Sequence, residues 1–412
     1  MKKLIGKIHL WLSVPVGLVI TIICLTGAIL VFETELTELF NRETYFVKEV
    51  KEQKLPLNDF IVKVNSQLPD SLSVASVQLT QNPKRNYRIG LKGANRMSAY
   101  ADPYTGELKD ISGYSSGFFS VMRRMHRWLM DTYKRDGVFV GKTVVGVSTL
   151  IFVVILITGV IVWIPKTKKA FKKSLAINLK EGKKRFWHDL HVAGGVYVVI
   201  VLLVLSLTGL TWSFTWYRNA FYKVFGAEIQ NVQPRPQPQT STANAQQGQT
   251  PAGNRGENPN AERGNRGNEN AGREEKPEKQ KGINTVVWQN VINNLTTQNP
   301  DFKSITIQDG RVSLQTSNYG NSRGADSYSF DKNTGEITEV KLYKDQDKSS
   351  KMRGWIYAVH VGSWGGIFTK IITFLAALMG ASLPITGYYL WIVKGINKRR
   401  YKKQQKALLK SM

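Results

Sequence analysis

Residues 9–27, HLWLSVPVGLVITIICLTG, and residues 191–209, HVAGGVYVVIVLLVLSLTG, decide the fold of this 412-residue chain. Each opens on a histidine, runs on without Asp, Glu, Lys or Arg, and reaches Thr-Gly after a gap of sixteen residues. An apolar run of about 20 residues crosses the hydrocarbon core of a bilayer. Two more runs have that character, and with their flanks the four spans are expected at 9–32, 138–164, 188–216 and 360–393. The first is too long for the apolar core of a cleaved signal peptide and lacks an A-x-A site after it, so it reads as a retained anchor. Pro384 predicts a kink in the fourth, tolerated where neighbouring helices satisfy the freed carbonyl.

The formal net charge is +27, from 57 Lys and Arg against 30 Asp and Glu. Most of it lies in three short segments, 1–8, 165–187 and 394–412, which together hold twenty basic residues and one acid, Glu181. Alternating spans put all three on one side, and the positive-inside rule makes that side cytoplasmic. The charge is therefore a topology signal and a lipid-headgroup contact, and nucleic acid is not the expected partner. The single cysteine, Cys24, excludes a disulfide framework, an iron–sulfur cluster and a thiolate zinc site. C-x-x-C-H is absent, so no haem is attached covalently.

Segments 33–137 and 217–359 are left outside, and they read as two copies of one plan. Each offers an amphipathic helix (55–68, 283–295) followed by short alternating strands such as NYRIGLKG and MSAYAD, or SITIQ, RVSLQT and SYSFD. Each reaches a turn of the same logic, DPYTGE at 102–107 and DKNTGE at 331–336, where Asp caps backbone N–H groups and Gly takes positive φ. A histidine follows each turn (His126, His360), then a span with T-G-x-x-x-W: Thr158-Gly159 before Trp163, and Thr386-Gly387 before Trp391. The expected fold is an α-helical membrane protein, four transmembrane helices in a bundle from two repeats, each with a small α/β domain outside. Residues 233–282 lack Val, Ile, Leu, Met, Phe, Tyr and Trp, and are expected to be a disordered insertion in the second domain.

All five histidines fall at span boundaries. The repeat makes His9 equivalent to His191 and His126 equivalent to His360. Residues equivalent under a pseudo-twofold can face each other across an axis, and each pair could then give both axial ligands to one haem iron. Bis-His ligation favours electron transfer over small-molecule chemistry. The bland reading makes these histidines interfacial polar groups, like Trp and Tyr, and crossed pairs stay open. His188, three residues before His191 and without a counterpart in the first half, is a reserve ligand, a propionate partner or neither. Arg123, Arg124 and Arg127 around His126 are propionate candidates, or a headgroup-facing stripe. Gly17, Gly194, Gly195, Gly362, Gly365 and Gly366 would admit a planar group or pack helices. Trp128, Trp212, Trp216, Trp355 and Trp364 would line a substrate cleft or form the interfacial belt. P-loop, Rossmann, G-x-S-x-G and H-E-x-x-H motifs are missing. The basic side is too short for a flavin domain, so an external donor, quinol or a flavoprotein, is expected to supply any electrons.

With these features the sequence resembles the PepSY-associated transmembrane-helix proteins, often called iron-regulated membrane proteins, some of which are siderophore reductases. The resemblance rests on the H-x₁₆-T-G spans at His9 and His191, the two D-x-x-T-G-E turns, MHRWL at His126 and V-H-x-G at His360. It covers nearly the whole chain apart from 233–282. It implies a bacterial inner-membrane protein with two periplasmic PepSY domains, and haem b held by His9, His191, His126 and His360. It also implies reduction of siderophore-bound or otherwise chelated Fe(III), which frees the more weakly held Fe(II). The rival expectation is a membrane-anchored PepSY module that binds ligands or regulates a protease, with no cofactor. A chelate transporter ranks below both, because Lys142 and Lys370 are too few intramembrane charges for a coupled ion pathway.

Overall fold

The computed structural model describes residues 1–93, 97–113, 117–132, 139–227, 284–316 and 319–411. The expected insertion at 233–282 lies outside them. Helices α1 (Lys2–Val31), α2 (Glu33–Phe40), α3 (Arg42–Tyr45) and α4 (Leu57–Asn65) lead into strands β1 (Ser73–Thr80), β2 (Tyr87–Lys92), β3 (Met97–Ala101) and β4 (Leu108–Gly113). Next come α5 (Gly117–Trp128), α6 (Val140–Trp163), α7 (Lys168–Ser174), α8 (Lys183–Asp189), α9 (Gly195–Ser213) and α10 (Thr215–Val224), with a π turn at Leu190–Gly194 joining α8 to α9. Then follow α11 (Thr285–Gln298), strands β5 (Phe302–Gln308), β6 (Arg311–Thr316), β7 (Asp326–Phe330) and β8 (Ile337–Lys341), α12 (Lys348–His360) and α13 (Gly366–Ser411).

Among the described residues four helices are long and apolar enough to cross a membrane: Lys2–Val31, Val140–Trp163, Lys183–Ser213 and Gly366–Tyr401. The last runs through Pro384 as one helix. His126 and His360 sit on separate helices, α5 and α12, that precede spans two and four. α5 ends on two residues at positive φ, Leu129 (52°) and Met130 (68°), whereas α12 turns at Gly362 (72°). A non-glycine residue in that region costs about 1–3 kcal/mol and persists only where its surroundings enforce it. Here Trp128 lies so close to the start of α6 that only a glycine, Gly141, fits opposite its carbonyl.

The strands outside the bundle form one antiparallel sheet in the order β4-β3-β2-β1-β5-β6-β7-β8. Its centre is the β1–β5 pair, with Val77 opposite Ile307 and Gln78 opposite Thr306. Period-2 alternation puts Tyr87, Ile89 and Leu91 of β2 on one buried face. α4 and α11 lie against each other and against this face. Phe60 and Val64 of α4 and Trp288, Val291 and Leu295 of α11 are buried with Val77, Ile305 and Ile307. Both D-x-x-T-G-E turns form as read. Asp102 Oδ1 accepts from the N–H of Tyr104 at 2.8 Å, and Asp331 Oδ1 from that of Asn333 at 2.8 Å. Gly106 and Gly335 take φ of 75° and 80°.

The short helix α2 ties the sheet to the bundle through three acids. Glu33 pairs with Arg123 of α5, Glu35 with Lys370 of α13 at 2.5 Å, and Glu38 with Arg85 beside β2 at 2.7 Å. Lys370, a lone charge in the sequence, thus has a partner.

Asp347 caps α12. Its carboxylate accepts from the Ser349 and Ser350 hydroxyls and, at 2.9 Å, from the Ser350 N–H, which lowers its pKa to about 2. Because that lies below the unfolded value of about 3.9, the cap is fully present above pH ~4 and is lost as pH falls through about 2. Asp347→Ala is expected to cost about 1 kcal/mol. The melting-temperature gap from wild type should stay constant between pH 7 and pH 4, then close towards pH 2.

Candidate functional site

Each of the four spans carries one Thr-Gly pair, and each pair seats one histidine from another helix. The seat follows from helix geometry. A helical carbonyl bonds the N–H four residues on, which leaves its second lone pair open. Here the carbonyls of Ile23, Ile155, Leu205 and Leu383 stand four residues before Gly27, Gly159, Gly209 and Gly387. With no Cβ at the glycine, an imidazole edge can reach that lone pair. A Cβ added there would meet the ring's Cε1 at 3.0 Å (Gly27, His126), 3.2 Å (Gly159, His9), 3.1 Å (Gly209, His360) and 3.4 Å (Gly387, His191).

Nδ1 of each ring hydrogen-bonds the waiting carbonyl: His126 to Ile23 at 2.8 Å, His9 to Ile155 at 3.1 Å, His360 to Leu205 at 3.0 Å and His191 to Leu383 at 3.1 Å. A carbonyl only accepts, so Nδ1–H is the donor in all four and the lone pair is left on Nε2. The four imidazoles are thereby held by Nδ1 with Nε2 at the far side of the ring, as metal-ligating histidines are.

The rings come together in two pairs. His9 and His191 have ring centroids 6.4 Å apart at an interplanar angle of 83°, and His126 and His360 are 6.2 Å apart at 55°. Two imidazoles that each bind one metal at ~2 Å have centroids about 6 Å apart. The pairs are those expected from the repeat, and the crossed pairs are not formed. Among the described residues no three of His, Cys, Asp and Glu gather to hold a metal ion. Each pair offers two nitrogen donors, a set that fits the two axial positions of a haem iron.

The His9–His191 pair lies in a cavity of about 560 Å³ between the spans, lined by Val16, Gly17, Phe152, Leu156, Trp163 and Trp391 among others. Such a volume holds a ligand of several tens of atoms. The π turn contains His191, and one-turn π segments recur at functional sites. His188 also lines the cavity, but it pairs with no other histidine. It is half-exposed, and its Nδ1 donates to Asp189 Oδ1 at 3.2 Å. The other Asp189 oxygen accepts from Arg185 Nε at 2.8 Å.

Next to the second pair, the indole of Trp212 meets the His360 ring edge-on at 5.1 Å. The Ser363 hydroxyl, three residues beyond His360 in the chain, is buried with no hydrogen-bond partner. Of the arginines, Arg123 is engaged by Glu33, Arg124 donates to the Met130 carbonyl at 3.4 Å, and Arg127 lies 4.6 Å over the Trp128 ring. Most of the glycines singled out as approach points pack helices instead. Gly17 faces the Tyr388 ring, Gly194 faces Met379, and Gly362 and Gly365 face Thr373 and Thr369. Only Gly17 and Gly195 also border the cavity. The glycines that admit the histidines are those of the Thr-Gly pairs. The sequence showed these pairs as marks of repetition, and the signal of their role was four Thr-Gly pairs, one per span, against the four histidines matched between the halves.

Four membrane-length helices and an antiparallel sheet, with paired histidines between the helices, define a multi-pass membrane protein with a PepSY-type sheet region. The chain belongs to the PepSY-associated TM region family, whose model matches residues 7–394. Comparison with curated proteins gave no match.

Proposed function

We propose that the protein is a dihaem b-type ferric reductase of the bacterial inner membrane. In this reading it consists of two repeats with their basic ends in the cytoplasm and their PepSY domains in the periplasm. His9 and His191 hold the inner haem, and His126 and His360 hold the outer one. A bound haem would supply a one-electron Fe(III)/Fe(II) couple at each pair. The chain's own part is to present two Nε2 lone pairs at each site, to lock the rings by the Nδ1–H bonds, and to keep water out with the apolar walls. Electrons would come from quinol or a flavoprotein and leave to a siderophore-bound or other chelated Fe(III), whose reduced ion is held less tightly.

The observation that carries the reading is the twice-repeated pair of carbonyl-anchored imidazoles at 6.2–6.4 Å. The family membership and the 560 Å³ cavity at the inner pair support it. Its test is the visible spectrum of detergent-purified protein, oxidised and dithionite-reduced, with haem counted per chain. Two low-spin b-type haems are expected. A colourless protein from haem-replete cells would leave the anchored binding or protease-regulating module as the better reading.

A further inference from the structure

The four histidine seats differ in one respect. On the first-half histidines the carbonyl is the nearer acceptor. For His126, Ile23 O lies at 2.8 Å and Thr26 Oγ1 at 3.4 Å; for His9, Ile155 O lies at 3.1 Å and Thr158 Oγ1 at 3.3 Å. On the second-half histidines the threonine hydroxyl is as near or nearer. His191 Nδ1 is 2.8 Å from Thr386 Oγ1 and 3.1 Å from Leu383 O, and His360 Nδ1 is 3.0 Å from both Thr208 Oγ1 and Leu205 O. Both hydroxyls spend their proton on their own helix. Thr386 donates to Leu383 O at 2.9 Å, and Thr208 donates to Val204 O at 2.7 Å. Their lone pairs are therefore what faces the imidazole N–H. Thr386 and Thr208 are buried at 1 % and 7 % exposure, so no water replaces them as acceptors.

We propose that Thr386 and Thr208 are positioning residues that accept the Nδ1–H of His191 and His360 and thereby set the donor strength of one axial ligand in each pair. The inference rests on the dihaem reading. An acceptor on the far side of a ligating imidazole raises its basicity, and a more basic ligand favours the ferric state. Each pair then has one ligand whose nearer acceptor is the carbonyl, and one on which a hydroxyl leads (His191) or shares equally with the carbonyl (His360). The hydroxyl can be removed by a single substitution of nearly unchanged shape, Thr→Val.

The test is spectropotentiometry on the full-length, haem-loaded protein in detergent. With Thr386→Val, the reduced-to-oxidised ratio of the inner haem at fixed potential is expected to rise about threefold, within what one hydrogen bond is worth. Thr386→Ser, which keeps the hydroxyl, should match wild type. Thr158→Val, on the same haem, should leave the ratio unchanged, because there the carbonyl is the nearer acceptor. Thr208→Val should repeat the rise at the outer haem. Equal shifts from Thr386→Val and Thr158→Val would overturn the proposal, as would no shift with haem retained. Loss of haem from both second-half valine variants would also overturn it, by making the threonines structural parts of the seat. The wild-type spectrum is read first: an absence of haem there overturns the dihaem reading, and this inference with it.

Discussion

On the proposed dihaem function, His9→Ala and His191→Ala are each expected to remove one of the two haems per chain, and the double variant His9→Ala/His191→Ala to lose no more than either alone. By contrast, His9→Ala/His126→Ala leaves no haem. The expectation follows from the pairing. Two ligands that serve one iron act as a unit, so their losses do not add, whereas losses at separate sites do. The structure puts His9 opposite His191 at 6.4 Å and His126 opposite His360 at 6.2 Å. Haem per chain, counted against protein, is the measurement, with a two-step loss across the four variants as the decisive pattern. If His9→Ala/His191→Ala were to lose both haems, or His9→Ala/His126→Ala only one, the pairing would be wrong. His188→Ala should retain both haems, since its ring is oriented by Asp189 and faces no second imidazole.

Val77→Pro is expected to strip protection from both halves of the outer region, not from the first alone. Val77 is fully buried and stands on β1, which pairs with Ile89 of β2 on one side and Ile307 of β5 on the other. A proline in a strand paired on both edges removes a ladder donor, and proline is tolerated in sheets essentially only on edge strands or at bulges. Because β1 and β5 are the joint of one eight-stranded sheet, the loss passes across it. α4 and α11, packed together beneath that joint, lose part of their support as well. Hydrogen exchange resolved by peptide is the measurement. Faster exchange in β2 and in β6 would agree with the single sheet, while exchange confined to β2–β4 would mean that the two halves stand independently.

Much of this molecule was readable before its structure. The spans were, because the cost of moving backbone and charge into hydrocarbon depends on a run of about 20 neighbours and little else. NYRIGLKG and RVSLQT were readable as strands from their alternation, and the two D-x-x-T-G-E turns from a local bond between one carboxylate and amides two and three residues on. The His9–His191 and His126–His360 pairs were legible only through equivalence in the repeat, since each joins residues far apart in the chain. The expected use of Arg123, Arg124 and Arg127 was not borne by any local signal, and Arg123 meets Glu33 ninety residues away. The two readings of the approach glycines, helix packing or a planar group, could not be separated in the sequence for a similar reason. A glycine shows in sequence that something comes close, but not whether it is Tyr388, as at Gly17, or an imidazole, as at Gly27.

By itself, then, the sequence determined the four membrane-length helices, the amphipathic helix and alternating strands of each half, and the five boundary histidines, which follow from composition and short-range periodicity. The family came from a resemblance in the H-x₁₆-T-G spans and the D-x-x-T-G-E turns. Only the tertiary structure decided that β1 pairs with β5 to make one sheet, that α2 clamps sheet to bundle through Glu33, Glu35 and Glu38, and that His9, His126, His191 and His360 each rest on the Thr-Gly of another helix. The physical reason is separation: His9 and Ile155 are 146 residues apart, and His191 and Leu383 are 192 apart. A hydrogen bond across such a gap leaves no periodic trace in the chain and exists only once the helices have packed.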